Sequence, residues 1–177
     1  LQALFGRNGE SPVPVLAPQS PADGFDITVE AFRLAVRAMT PVFVLSDGYL
    51  ANSAEPWALP NPDDMEPIVI HHPPLADYGE TTPFLPFGRD PETMGRPWPL
   101  PGEYGLEHRI GGLAKQPGTG NVSYSPDDND RMIHDRAEKV ARLAEVIPPL
   151  QAFGEPSGDL LVVGWGSCYG AIAAAVQ

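Results

Sequence analysis

Residues 51 to about 124 carry no sustained helical or strand period, and this constrains the fold more than any other feature of the chain. Twelve of the 22 prolines fall between Pro56 and Pro101. Proline fixes φ and lacks an amide hydrogen, so such a stretch supplies neither a helix interior nor a central strand. A structureless run of this length inside a compact domain is usually a functional wrap or a linker. Aromatic side chains are scattered along it (Trp57, Tyr78, Phe84, Phe87, Trp98 and Tyr104). The segment therefore reads as an ordered connection lying across a partner surface, not as a flexible tether.

On either side of this segment the pattern becomes regular. "LQALF" reads as the tail of a helix with Gly6 at C′, which leads us to expect a segment before it. "VPVLA" (13–17) has strand composition. From Asp23, a candidate N-cap, to Met39 the period is helical. Glu30, Arg33 and Arg37 form one polar stripe there, and the apolar remainder predicts a helix buried on most of its girth. Thr40-Pro41 stops it, and "VFVL" (42–45) reads as a strand covered on both faces. Strand, helix and strand make a βαβ unit, hence parallel strands. Ser125-Pro126-Asp127-Asp128 announces a second helix, to about 147, with Ile133, Ala137, Val140, Ala144 and Ile147 on its apolar face. Pro148-Pro149 ends it. "LLVV" (160–163) then predicts a strand, followed by a glycine turn and a run of small residues in a helix.

Charge and cysteine content narrow the function classes. A formal net charge of −12 across 177 residues, with no basic run, argues against nucleic acid and anionic membrane. No apolar run reaches the roughly 18 residues that span a bilayer. The first ten residues lack the pattern of a signal peptide. A single cysteine excludes an internal disulfide and an iron–sulfur cluster built by this chain alone. These features suggest a cytoplasmic protein.

Several constellations invite a chemical reading, each with a structural alternative. Gly164-Trp165-Gly166-Ser167-Cys168-Tyr169-Gly170 approaches a dinucleotide fingerprint, but its spacing is off by one and no acid follows. A tight strand-to-helix turn, with Cys168 used for packing, is the preferred reading. His71-His72 point apart on extended backbone and have no second metal ligand at zinc spacing. Glu107-His108-Arg109 precedes Gly111-Gly112, where a cation and backbone can approach an anion; a salt-bridged interface loop is the alternative. Arg7-Asn8-Gly9-Glu10 suits a pocket rim or a stabilised turn. Asp47 closes the strand 42–45, at the end where α/β sheets bind ligands, or simply forms a turn. Arg7, Asn8, Glu10, Asp47, His108 and Arg109 are thus the binding candidates. No catalytic group and no metal site stand out.

Taken in order, "LQALFGRNGE", "SPADGFD", "EAFRLAVRAMTPVFVLSDGYLAN", "SAEPW", "HRIGGL", "GNVSY" and "VVGWGSCYGAI" give the whole chain a resemblance. It resembles the alpha subunits of thiamine-diphosphate-dependent 2-oxoacid:ferredoxin oxidoreductases, the 2-oxoglutarate enzymes in particular. Asn8 stands where the family pattern has His, Gly24 where it often has Cys, and Cys168 where it has Thr. Asn129-Asp130 stands where it often has Asn-His. The resemblance implies an α/β fold in three parts: 1–50 as the end of a pyrimidine-binding-type domain with a parallel sheet, 51–155 as the connection, and 156–177 as the start of a transketolase C-terminal-like domain. It implies a fragment cut at both ends, with no catalytic residue of its own. It also implies oxidative decarboxylation of a 2-oxoacid with CoA, electrons passing to ferredoxin. Thiamine diphosphate, Mg2+ and a 4Fe-4S cluster would be held in the intact complex with a beta subunit, not by this piece alone. Pyruvate or a branched 2-oxoacid as substrate, or a non-catalytic scaffold, are the alternatives.

Overall fold

The computed structural model describes residues 1–79, 81–155 and 157–176. Pro156 and Gln177, the bounds of the third expected part, lie outside the described residues. The regular elements are α1 (Gln2–Phe5), β1 (Val15–Leu16), α2 (Asp23–Ala38), β2 (Phe43–Val44), α3 (Gly48–Asn52), α4 (Pro126–Arg142) and α5 (Tyr169–Val176). β1 and β2 pair in parallel, Val15 opposite Phe43 and Leu16 opposite Val44, with α2 as the crossover. The expected βαβ unit is present. Leu34 and Ala38 of α2 pack with Leu143, and Leu16, Val42 and Ile147 close around them.

Several local expectations are corrected. The N-cap position of α2 is Ala22, not Asp23. Asp23 instead accepts from the Gln19 amide at 2.8 Å, while Glu55 accepts from the Ser20 hydroxyl and the Ala22 amide. Burial on α2 is confined to Ala31, Leu34 and Ala38, and Phe32 is 62% exposed. β2 is not covered on both faces: Phe43 and Val44 are exposed, because a two-stranded sheet offers few neighbours. Gly6 follows α1 without left-handed geometry (φ −84°). Glycine is needed there because a Cβ would lie 2.5 Å from the Gln2 carbonyl oxygen. Ser125 occupies the N-cap of α4 but makes no side-chain cap bond. Ahead of the helix, the Ser123 hydroxyl donates to Asp128 at 2.6 Å and accepts from the Ser125 amide.

The long segment is tied down along α2. Trp57 packs on Phe25 near the helix start, with ring centroids 5.5 Å apart. Glu66 pairs with Arg33 midway, at 2.9 Å. Trp98 donates through its indole nitrogen to the Val36 carbonyl at 3.0 Å, near the helix end. Gly95 comes so close that a Cβ there would sit 2.6 Å from the Arg37 carbonyl oxygen. Part of the surface under this strap is therefore supplied by the chain's own helix. His72, which the sequence does not favour as a metal ligand, places Nδ1 2.7 Å from the Trp98 carbonyl and serves to hold the strap.

α4 docks on a face rotated from the expected one, with Ile133, Val140 and Ile147 only half-buried. Met132, Lys139 and Leu143 are buried, whereas Ala137 and Ala144 are exposed. Polar anchors set this rotation. Lys139 donates to the Met39 carbonyl at the end of α2, at 3.2 Å, where the helix dipole favours a cation. Asp135 pairs with Arg89 at 3.3 Å, and Arg142 donates to the Pro91 and Glu92 carbonyls.

At the far end, 160–163 forms no strand, since no neighbouring strand is there to take its hydrogen bonds. Leu160, Leu161 and Val163 are 80% or more exposed. The turn and α5 follow as expected. Gly164 has Ile172 packed where its Cβ would be, which matches the close-packing reading of these glycines. Gly166 (φ +63°) faces Ala17 just past β1. Cys168 is exposed, not used for packing.

Candidate functional site

A cleft of about 340 Å3 lies between Phe84 and Pro86, the loop 107–109 and the end of a hairpin, 119–122. The hairpin is held by the Lys115–Val122 bridge and by the Gln116 amide donating to the Asn121 carbonyl at 2.8 Å. Gly118 (φ +77°) and Gly120 (φ +72°) allow its tight end. Gly120 is doubly required, because a Cβ there would run into the Phe87 ring. His108 is fixed from two sides. Its Nδ1 donates to the Leu106 carbonyl, 2.8 Å away, because a carbonyl can only accept. Its ring also meets Phe84 edge-on at 5.6 Å.

Beside the cleft the structure gathers cations. Arg96 and Lys115 both stand over the Phe87 ring, at 4.4 and 5.4 Å from its centroid. Lys115 is 5% exposed and donates to the Gly111 and Leu113 carbonyls. Lys139 is 7% exposed. Burial lowers the pKa of both lysines, that of Lys139 to about 8. The charges of Arg96 and Arg136 act on both, with Arg109 adding to Lys115 and Arg89 to Lys139. Burial also lowers the Arg89 and Arg96 guanidinium pKa values. The one carboxylate in ion-pair contact with this group among the described residues is Asp135, on Arg89. Sequence reasoning missed the cluster. Its members are single residues spread from 89 to 139 in an acidic chain, so no local run announces them.

Of the six sequence candidates, His108 and Arg109 line the cleft together with Glu107. The other four lie elsewhere. Arg7 is engaged with backbone: it donates to the Ser11 carbonyl at 3.0 and 2.7 Å, and to those of Ala3 and Leu4. It joins the end of α1 to the next loop and does not pair with Glu10. Asn8 is exposed on that turn. The Glu10 carbonyl accepts from Arg136 at 3.2 Å, which connects the tetrad to the basic cluster. Asp47 caps α3, accepting from the Leu50 amide at 2.9 Å, and also accepts from the Ser167 hydroxyl. The Ser167 bond, then the Leu50 bond, hold its carboxyl below the usual range.

Among the described residues no group of three or more His, Cys, Asp or Glu side chains could hold a metal ion. No helix among them is long and apolar enough to cross a membrane.

The fold, a parallel βαβ unit with a strap along its helix, is shared with proteins of one class. The chain belongs to the pyruvate flavodoxin/ferredoxin oxidoreductase family, thiamine-diphosphate-binding domain, whose profile matches residues 1–116. Within that class it is 49% identical over 179 residues to 2-oxoglutarate oxidoreductase subunit KorA of Mycobacterium tuberculosis, covering 100% of this chain and 26% of the relative. It is 27% identical to 2-oxoglutarate synthase subunit KorA of Methanothermobacter marburgensis, covering 100% of this chain and 45% of that one. Its structure superposes on a 2-oxoglutarate:ferredoxin oxidoreductase from Magnetococcus marinus, solved with 2-oxoglutarate, coenzyme A and succinyl-CoA bound. The TM-score is 0.83 at 27% identity, over 98% of this chain and 29% of that one. The chain thus spans about a quarter of the length of the Mycobacterium relative. The family profile runs through much of the strap as well as the βαβ unit.

One exposed cysteine cannot hold a four-thiolate cluster.

Proposed function

We propose that this chain is part of the alpha subunit of a 2-oxoacid:ferredoxin oxidoreductase whose substrate is 2-oxoglutarate. In the reaction, the 2-oxoacid loses CO2, its acyl carbon is transferred to the thiol of CoA, and two electrons pass to ferredoxin. The observation that carries this reading is the 49% identity to the Mycobacterium 2-oxoglutarate oxidoreductase subunit across the whole of this chain. Thiamine diphosphate, when bound, supplies the electron sink for decarboxylation. It, Mg2+ and the 4Fe-4S cluster would be held by the assembled enzyme, including a beta subunit, and not by these residues alone. Within the assembly this segment would be scaffold and interface. α2 and the strap position the 107–109 loop and the hairpin, and the turn before α5 is seated by Asp47 at the carboxyl end of β2. We place the boundaries of its three parts at 50 and 155, and take Arg7, Asn8, Glu10, Asp47, His108 and Arg109 as rim positions near ligands of the assembly.

A second reading takes a branched 2-oxoacid. It is favoured by 41% identity over 68 residues, 38% of this chain, to ketoisovalerate oxidoreductase subunit VorB of Methanothermobacter thermautotrophicus. Asn8, a departure next to Arg7, is where such a preference would be tuned.

Co-production of the full gene product with its beta partner tests the proposal. CoA-dependent reduction of ferredoxin is measured with 2-oxoglutarate, pyruvate and 2-oxoisovalerate. We expect kcat/KM for 2-oxoglutarate to exceed the others at least tenfold. A preference for either competitor overturns the substrate assignment, and no 2-oxoacid turnover in the assembled complex overturns the enzyme reading.

A further inference from the structure

The basic cluster has far more positive charge than its surroundings neutralise. Arg96 and Arg136 act on both Lys115 and Lys139, Arg109 acts on Lys115 and Arg89 on Lys139, and Asp135 is already taken by Arg89. Like charges held this close in a poorly solvated site repel strongly unless an anion joins them. Among the described residues the hydrogen bonds of the two buried lysines go to backbone carbonyls, which carry no net charge to offset an ammonium. A chain of net charge −12 has no shortage of carboxylates, yet the fold brings only one into ion-pair contact with this group among the described residues.

The cleft lies against this cluster. Val122, in its wall, is bridged to Lys115. Gly120, also in its wall, sits on the Phe87 ring that Arg96 and Lys115 share. Arg109 stands at the rim, with Thr119 and Asn121 opposite on the hairpin end. The one acid in the lining is Glu107, whose carboxylate accepts from the Gly105 amide at 2.7 Å. A void of about 340 Å3 is larger than a lone carboxylate needs. Arg109 in the wall, with Arg96 and Lys115 behind it on the Phe87 ring, favours an oxyanion, and a planar guanidinium at the mouth suits tetrahedral phosphate oxygens.

We propose that the cleft between the 107–109 loop and the 119–122 hairpin end is a binding site for a phosphate-class anion. Arg109 and Asn121 contact it directly, and Arg96 and Lys115 supply the field behind it. Lys115 acts through charge alone, since its ammonium is committed to the Gly111 and Leu113 carbonyls. The proposal concerns a binding site and is independent of which 2-oxoacid the enzyme uses.

The test uses the full-length subunit assembled with its beta partner, in chloride buffer at pH 7. Inorganic phosphate and pyrophosphate are titrated by calorimetry and by 31P line broadening. Succinate serves as the carboxylate arm. We expect saturable binding, with pyrophosphate tighter if the natural ligand carries a diphosphate and inorganic phosphate tighter if the free ion is the ligand. Arg109→Gln should weaken binding at least tenfold, and Asn121→Leu severalfold. Both positions are exposed, so neither change threatens folding. Arg131→Gln, an exposed control on α4, should leave binding unchanged. The proposal is overturned by a complex that turns over its 2-oxoacid but shows no saturable phosphate binding, by equal losses in Arg109→Gln and Arg131→Gln, or by succinate binding as tightly as phosphate. Saturable binding in a complex that turns over no 2-oxoacid leaves this site standing and removes the enzyme reading instead.

Discussion

Lys139 shows what the basic cluster does to one side chain. Burial, with Arg89, Arg96 and Arg136 close by, brings its ammonium pKa from 10.5 to about 8. In the unfolded chain the group keeps its proton to about pH 10.5, whereas the folded chain releases it near pH 8. Between these values the unfolded state binds more protons, so stability contributed at this position rises with pH. Below pH 8 both states are charged and the folded state bears the full burden, on the order of 3 kcal/mol. Lys139→Met removes this dependence, although it also leaves the Met39 carbonyl without its donor. Urea unfolding of the assembled subunit from pH 7 to 10.5 should show wild type gaining on the variant steadily across the window. Parallel curves for the two would refute the assignment. None of this was legible in the sequence, where Lys139 occupies an unremarked position in an amphipathic pattern. Its neighbours in space, from Arg89 to Arg136, are brought together only by tertiary folding. By contrast, His108 and Arg109 were legible, because one short loop carries both.

At the level of elements, α2 and its exit carry the local order. Met39 ends the helix in the left-handed region (φ 44°, ψ 60°), its amide reaching back to the Ala35 and Val36 carbonyls. An unbranched side chain tolerates this conformation and a β-branched one clashes with its own backbone there. Met39→Ile should lower stability by about 1–2 kcal/mol although its apolar bulk is similar, while Met39→Leu should stay within about 1 kcal/mol of wild type. Chemical denaturation of both variants decides it, and equal losses would mean that packing, not backbone conformation, limits this position. The stop itself could be read from Thr40-Pro41, and the parallel pairing from the strand–helix–strand order. The facing of α4 could not. Hydrophobic periodicity selects Ile133, Ala137, Val140 and Ala144, but the helix turns Lys139 and Asp135 inward because the α2 terminus and Arg89 offer them partners. Periodicity records where apolar residues lie and is silent about which polar groups find a counterpart. The apolar run 160–163 failed as a strand for a related reason: a ladder needs a second strand, and the nearest pair, β1–β2, does not take it.

For the molecule as a whole, surface area is the telling quantity. The chain exposes 12805 Å2, whereas a folded monomer of 19.0 kDa exposes about 8,400 Å2. The excess, roughly 4,400 Å2 on this chain alone, is more than one partner's share of most obligate interfaces, about 1,000–2,500 Å2 a side. It is apolar in places that matter: Phe43, Val44 and Leu45 along the sheet, Ile68 to Ile70 in the strap, and Leu160 to Val163 near the end are all more than a third exposed. The isolated 177-residue chain should therefore bind a hydrophobic dye strongly and self-associate at micromolar concentration, and the assembled subunit should do neither. Light scattering and dye fluorescence of the two preparations make the comparison. A dispersed, dye-silent monomer would show that these surfaces need no cover. The bare sheet edge and the uncovered leucines and valines also bear on supply within a cell. Polypeptide in this condition is what chaperones retain and proteases remove. Its standing amount would then follow the abundance of whatever shields it, so synthesis of the two must be matched.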